Sequence, residues 1–180
     1  MKVFMKSSIK LGIFLFAGLF VAGAGAEPLN FDVGYSKLTF KEDDFPKFTP
    51  QHLKFALSRN NFEAIASVNV RSSKETYGGT VTEVTFPYIL GLYYKPEISF
   101  KAGINAFARA GLTHISYQQR GSNIPSGKHT ASGNGFSYGF GMSTLSTSTS
   151  KVSLDFTSYY NREGTDVKSI SLTHSFIFPY

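Results

Sequence analysis

His114 and Ser116 are separated by one residue. On a β-strand, positions i and i+2 share a face, so an imidazole would stand beside a hydroxyl. That pairing can activate a nucleophile when a third group orients the base. The neighbouring segment Phe136 to Ser146 contains no Asp or Glu. Without that orienting acid, His114 reads as a histidine at the aromatic girdle beside Ser116, and no catalytic role is expected. His52, His129 and His174 are scattered, and with no cysteine in the chain neither a metal nor another cofactor is expected. Gly121 to Gly127-Lys128 approximates a phosphate-binding loop, but His129 stands where Ser or Thr would hold magnesium and no helical pattern follows.

The elements that would position these residues begin after an export signal. Lys2, Lys6 and Lys10 precede an apolar run from Leu11 to Val21, and Ala24-Gly25-Ala26 precedes Glu27. A basic stretch, a short apolar stretch and small residues at a cleavage site define a secretory signal. The apolar run falls short of the roughly 20 residues that a membrane-spanning helix needs. Cleavage is expected after Ala26, giving a signal peptide over 1–26 and a single domain over 27–180. Of the 18 Lys and Arg residues three leave with the signal, so 15 basic groups face 12 acidic ones. Such a balance offers no phosphate-binding field, and no nucleic-acid partner is expected.

After Glu27 the pattern has period two. Ile170, Leu172, His174, Phe176 and Phe178 alternate with Ser169, Ser171, Thr173 and Ser175, and Val152, Leu154 and Phe156 alternate with Ser153, Asp155 and Thr157. Phe136, Tyr138, Phe140 and Met142 are separated by Ser and Gly, and the run from Phe100 to Leu112 is mostly Ala against Lys, Gly, Asn and Arg. Val84 to Tyr94, Phe62 to Val70, Leu53 to Leu57 and Phe31 to Tyr35 complete eight segments. Leu38 and Phe40 break the parity of the first, which suggests a bulge. Connections after the odd-numbered segments are long (41–51, 72–79, 118–134, 162–167), whereas 59–61, 95–97 and 147–150 are tight turns. Long loops at one end and tight turns at the other match an outer-membrane barrel, and eight strands close a sheet without edges. A soluble β-sandwich or lipocalin-like barrel also alternates, but around an apolar core. Here the second face is Gly, Ser, Thr, Asn and isolated charges. Aromatics gather near strand ends (Tyr88, Tyr93, Tyr94, Tyr159, Tyr160, Phe176, Phe178, Tyr180), as in interfacial girdles. The fold class expected is an all-β, eight-stranded antiparallel transmembrane up-and-down barrel.

The stretches Phe136 to Met142, Val152 to Tyr160 and Ile170 to Phe178 resemble the outer-membrane barrel family that includes the outer-membrane protein A and X transmembrane domains and the opacity proteins. The resemblance covers the whole mature chain in layout and is specific over about the last 80 residues and the Ala/Gly-rich fifth strand. It implies eight strands with both termini in the periplasm. It also implies that Phe176, Phe178 and Tyr180 act as the signal read by the barrel-assembly machinery, with Pro179 and a terminal Tyr departing from the usual pattern. Separately, His114-x-Ser116 resembles the His-x-Ser of outer-membrane lipid A 3-O-deacylases, from which the sequence departs in lacking the acid.

Assigning the polar parity to the lumen places Asp32, Lys54, Glu63, Arg71, Glu83, Lys101, Arg109 and Asp155 inside, four acids against four bases. Eight strands enclose only enough room for side chains, and buried charges must be paired. A salt-bridge network that fills the barrel is therefore expected, with Glu83 opposite Arg109 if residues 95–97 form the turn. The alternative is a minor porin lined by the same charges. A plugged barrel acts through what it presents, so specificity is expected in the loops: Phe45 and Phe48 exposed among prolines, and Arg120, Lys128 and His129 in a Gly/Ser-rich setting. Expected partners are outer-membrane lipid and lipopolysaccharide, the assembly machinery, and a host or phage surface ligand.

Overall fold

A computed structural model describes residues 28–42, 46–77, 79–121, 127–162 and 165–179. The signal peptide, its cleavage site, Phe45 and Tyr180 lie outside them. The chain forms an antiparallel barrel of ten strand segments: β1 (Leu29–Glu42), β2 (Gln51–Arg59), β3 (Phe62–Arg71), β4 (Ser73–Tyr77), β5 (Thr80–Tyr94), β6 (Glu97–Ser99), β7 (Ile104–Gly121), β8 (Lys128–Thr147), β9 (Ser150–Arg162) and β10 (Thr165–Phe178). Neighbours in sequence are neighbours in the sheet, β5 joins β7, and β1 closes on β10. β4 prolongs β3, and β6 prolongs β5, so eight strands make the wall. Among the described residues no helix is long and apolar enough to cross a membrane.

The wall is greasy outside and polar inside. Leu112 is 70% exposed beside Thr113 at 2%, and Leu172 is 57% exposed between Ser171 and Thr173. Phe136, Phe140, Met142, Leu154 and Ile170 continue this outer surface, while Ser67, Ser137, Ser143, Ser153, Thr157, Ser169 and Ser175 are buried within. A soluble barrel would show the reverse distribution, because water favours polar atoms outside.

Turn chemistry sets the register at the short end. Asn60 and Asn61 hold φ of 51° and 62° between β2 and β3, the left-handed pair of a two-residue hairpin, which Asn tolerates. Ser148 and Thr149 turn β8 into β9. The third connection differs from the expected turn at 95–97. Glu97↔Phe107 continues the register of Tyr94↔Ala110, so the strand runs on past Pro96 and turns at Phe100–Gly103, where the Phe100 N–H donates to the Ile104 carbonyl at 2.8 Å. Pro96 is tolerated because β3 ends opposite Tyr94, which leaves that side of Pro96 with no ladder bond to supply.

Two parity expectations change. β1 has no bulge: it pairs with β10 without interruption from Leu29↔Phe178 to Glu42↔Thr165. Leu38 and Phe40 face inward, and above Tyr35 the outward positions become Lys37, Thr39 and Lys41. The polarity inverts because the strand has left the apolar zone: water now lies outside and the dry region inside. On β5 the shared face expected for Val84 to Tyr94 splits at a register shift between Thr85 and Tyr88. Val84 and Phe86 are buried inside, whereas Leu90 and Tyr94 point out. Tyr93 and Tyr159 are buried in the lumen rather than placed in the girdle.

Inner-wall aromatics lie opposite glycines, Tyr93 across from Gly111 and Phe107 across from Gly141. A Cβ on Gly111 would approach the Leu92 carbonyl oxygen to 1.9 Å, and one on Gly141 would meet the Phe107 ring at 2.5 Å. Gly111→Val is expected to cost about 1–3 kcal/mol by overpacking, measured as a lower urea midpoint in detergent. An unchanged midpoint would show that the wall relaxes freely.

Candidate functional site: the filled lumen and the long-hairpin mouth

Within the lower lumen the charges form one line of alternating sign. Starting at the short-turn mouth, Lys151 Nζ lies 3.2 Å from Glu97 Oε2, and Glu97 Oε1 lies 3.6 Å from Lys95 Nζ. Lys95 Nζ is 3.0 Å from Glu63 Oε1, and Arg109 Nη1 is 3.3 Å from Glu63 Oε2 and 3.5 Å from Asp155 Oδ1. Lys54 Nζ ends the line, donating to Asp155 Oδ2 at 2.9 Å and Oδ1 at 3.1 Å. Lys54, Glu63, Arg109 and Asp155 are almost wholly buried. The Phe107 ring supports two cations, Lys95 Nζ at 4.5 Å and the Arg109 guanidinium carbon at 5.1 Å from its centroid. Asp32 is buried nearby, opposite Ser175. Low dielectric strengthens such pairs, and the alternation leaves no interior charge of this line without a counter-charge.

Five of the eight expected lumen charges are therefore inside: Asp32, Lys54, Glu63, Arg109 and Asp155. Three are not. Arg71 is exposed on the outer wall, Lys101 is exposed in the short turn, and Glu83 lies 3.8 Å from Lys74 across the β4–β5 hairpin. Glu83 faces Arg120 across β5 and β7, not Arg109. The expected pair assumed a turn at 95–97, and the later turn slides β7 along β5. The same slide explains why Lys95 and Glu97 were missed: continuing the inward parity of Tyr93 past Pro96 buries Lys95 and brings the exposed Glu97 to the rim of the mouth beside it.

Above the charges comes a hydroxyl layer, then an apolar cap. The Tyr93 hydroxyl is 2.8 Å from Thr113 Oγ1 and 3.0 Å from Ser137 Oγ. His52 is fully buried, its Nδ1 3.1 Å from Ser67 Oγ. Leu38, Phe40, Phe48, Val84, Phe86, Ile89, Ile115, Tyr159 and Val167 then pack as one buried cluster. Phe48 is thus a core residue, not an exposed contact. Its segment returns beside β1, the Phe40 and Phe48 backbones exchanging hydrogen bonds at 2.9 Å, and the Leu38 N–H donates to Pro50 at 2.9 Å. This strap continues the wall where β2 is short. Phe40 packs edge-to-face against Phe86 at 5.5 Å and tilted against Tyr117 at 5.8 Å.

At the long-hairpin end β7 and β8 pair up to Arg120↔Lys128, so most of the expected loop 118–134 is sheet. Arg120, Lys128 and His129 are exposed there. Arg120 and Lys128 stand directly opposite each other, with Glu83 opposite Arg120 on β5. Below the tip His114 is half-buried and Ser116 is buried. His114 Nδ1 is 2.7 Å from Asn134 Oδ1, and its ring stacks on Tyr88 at 5.9 Å. The group beside the imidazole is an amide, not a carboxylate, so it offers no charge to stabilise an imidazolium. Among the described residues no cluster could hold a metal ion. Phe176 and Phe178 project outward.

No protein-family description matches the sequence, and no characterised protein matches it in sequence. Solved structures do match in fold. Neisserial surface protein A superposes with a TM-score of 0.62 at 10% identity, covering 86% of this chain and 98% of that one. Ail, the attachment invasion locus protein of Yersinia pestis, superposes with 0.55 at 13% identity over 86% of this chain and 100% of that one. Ail in complex with the heparin analogue sucrose octasulfate gives 0.56 at 15%, with the same coverage. The fold is that of the eight-stranded outer-membrane barrels.

Proposed function

We propose that this chain is a small, non-enzymatic protein of the bacterial outer membrane that works through the surface its long hairpins present. The observation that carries the reading is the filled interior. The alternating charge line fills the lower lumen and the apolar cluster fills the upper, which argues against the continuous water path that a porin needs. What remains available is the exposed end, where the Arg120–Lys128 pair and His129 suit an anionic partner. The complex of Ail with a heparin analogue supports a polyanionic host glycan as the ligand class. Phe176 and Phe178 on the outer face of β10 suit recognition by the assembly machinery during insertion. The mature barrel, refolded into a planar bilayer, is expected to be electrically silent. Sustained salt-dependent channels would replace this reading with the minor-porin one.

A further inference from the structure

The apolar belt is bordered at the long-hairpin end by two different rims. Around β5, β7 and β8 the residues at this level are Tyr88, His114 and Asn134, which are neutral or weakly basic. Around β10, β1 and β3 they include the cations Lys168, Lys37 and Arg71, with the neutral Gln51 of β2 between the last two. Lys37 pairs with Gln51, and Gln51 pairs with Arg71, which sets these three side by side on adjacent strands. Lys168 stands two residues further along β10, opposite Thr39, while Lys37 itself is opposite Ile170. Lys37 and Arg71 are exposed and have no ion-pair partner among the described residues. Lys168 carries Asp166 as its counter-charge and is still 39% exposed. Immediately below this row lie Ile170, Leu172, Tyr35, Leu53 and Val68, all exposed on the outer wall.

We propose that this face, Lys37, Arg71 and Lys168 above Tyr35, Leu53 and Leu172, seats the phosphorylated headgroup of an outer-leaflet glycolipid, with its acyl chains on the belt below. The chemistry is two-part: Lys168 and Lys37 on adjacent strands, with Arg71 two strands from Lys37 across Gln51, match the separate phosphates of a headgroup, and the continuous apolar surface matches its chains. A soluble anion would use only the first part. The inference rests on the outer-membrane reading and adds a site to it, separate from the Arg120–Lys128 tip.

The test titrates the refolded full-length mature barrel in micelles with lipid A, with dephosphorylated lipid A and with inorganic polyphosphate, against K37Q, the triple variant K37Q/R71Q/K168Q and the tip variant R120Q/K128Q. Lipid A affinity is expected to fall about fivefold for each cation removed near a membrane surface, to be weakened by dephosphorylation, and to be unchanged in the tip variant. K37Q alone supplies the fivefold comparison if the triple variant folds poorly. Parent-like lipid A binding by these rim variants overturns the site. Polyphosphate binding as tight as lipid A overturns the lipid assignment in favour of a free anion, and loss confined to the tip variant moves the site there. Parallel refolding into lipid vesicles separates the two failures: a barrel that inserts but shows no rim effect sinks only this inference, whereas one that cannot insert sinks the outer-membrane reading.

Discussion

Asp155→Ala is expected to destabilise the barrel by about 3–5 kcal/mol, because it strips counter-charge from two buried cations at once. Asp155 receives both Lys54 and Arg109, and neither has solvent to turn to. Arg109 retains Glu63 at 3.3 Å, but Lys54 keeps no carboxylate within ion-pair distance among the described residues. The loss therefore falls mainly on Lys54. A second substitution separates the pair's net worth from the cost of orphaning one member: Lys54→Met in the Asp155→Ala background removes the stranded ammonium and is expected to recover much of the stability. Urea unfolding in detergent measures both. A single-variant cost under about 1 kcal/mol would mean that water reaches Lys54 and the lower lumen is not closed, at the level expected of a solvated pair.

Most of the wall was legible because period two is a direct consequence of strand geometry and survives in the sequence wherever the environment outside is uniform. It failed at positions where the environment changes. Leu38 and Phe40 looked like a slipped register because the pattern assumes lipid outside; above Tyr35 that assumption ends and the correct strand reads as a fault. Val84 and Phe86 looked continuous with Leu90 and Leu92 because a bulge hides inside a run that is apolar on both parities. Pro96 looked like a turn because proline punctuates strands, and only the unpaired side beyond the short β2–β3 hairpin makes it acceptable there. That one misplacement displaced the Glu83–Arg109 pair and hid both the buried Lys95 and the exposed Glu97 that pairs with it at the mouth. Asp32, Lys54, Glu63, Arg109 and Asp155 lie in stretches where the alternation is unbroken, and all five are buried in the lumen.

The upper half of the lumen was the least legible part, since no local pattern tells a Phe between prolines that it will fold back over a barrel mouth. Long-range pairing decides it: Phe40 and Phe48 exchange two backbone bonds, and the proline-flanked segment that cannot continue β2 is held there by its one large apolar side chain.

Phe48→Ala is accordingly expected to have the second large effect. Deleting a fully buried phenylalanine costs about 3–5 kcal/mol when the surroundings cannot collapse. Here they are themselves rigid, with Phe40, Phe86 and Tyr117 fixed on strands. The strap, however, is joined to β1 by only a few backbone bonds, so part of the loss is expected as local release of residues 46–50 rather than as global unfolding. Two observables divide the outcome. Protease cleavage near Lys47 is expected to accelerate several-fold, because detachment exposes the segment, while the urea midpoint falls by less than the full Phe→Ala cost. Bilayer recordings are expected to remain silent, because the charge line from Lys151 to Lys54 lies below the cap and is untouched. If the variant conducts, the apolar cap alone closes the barrel and the ion pairs line a path. Silence with rapid cleavage would leave two independent closures stacked in one lumen, the upper removable without opening the lower.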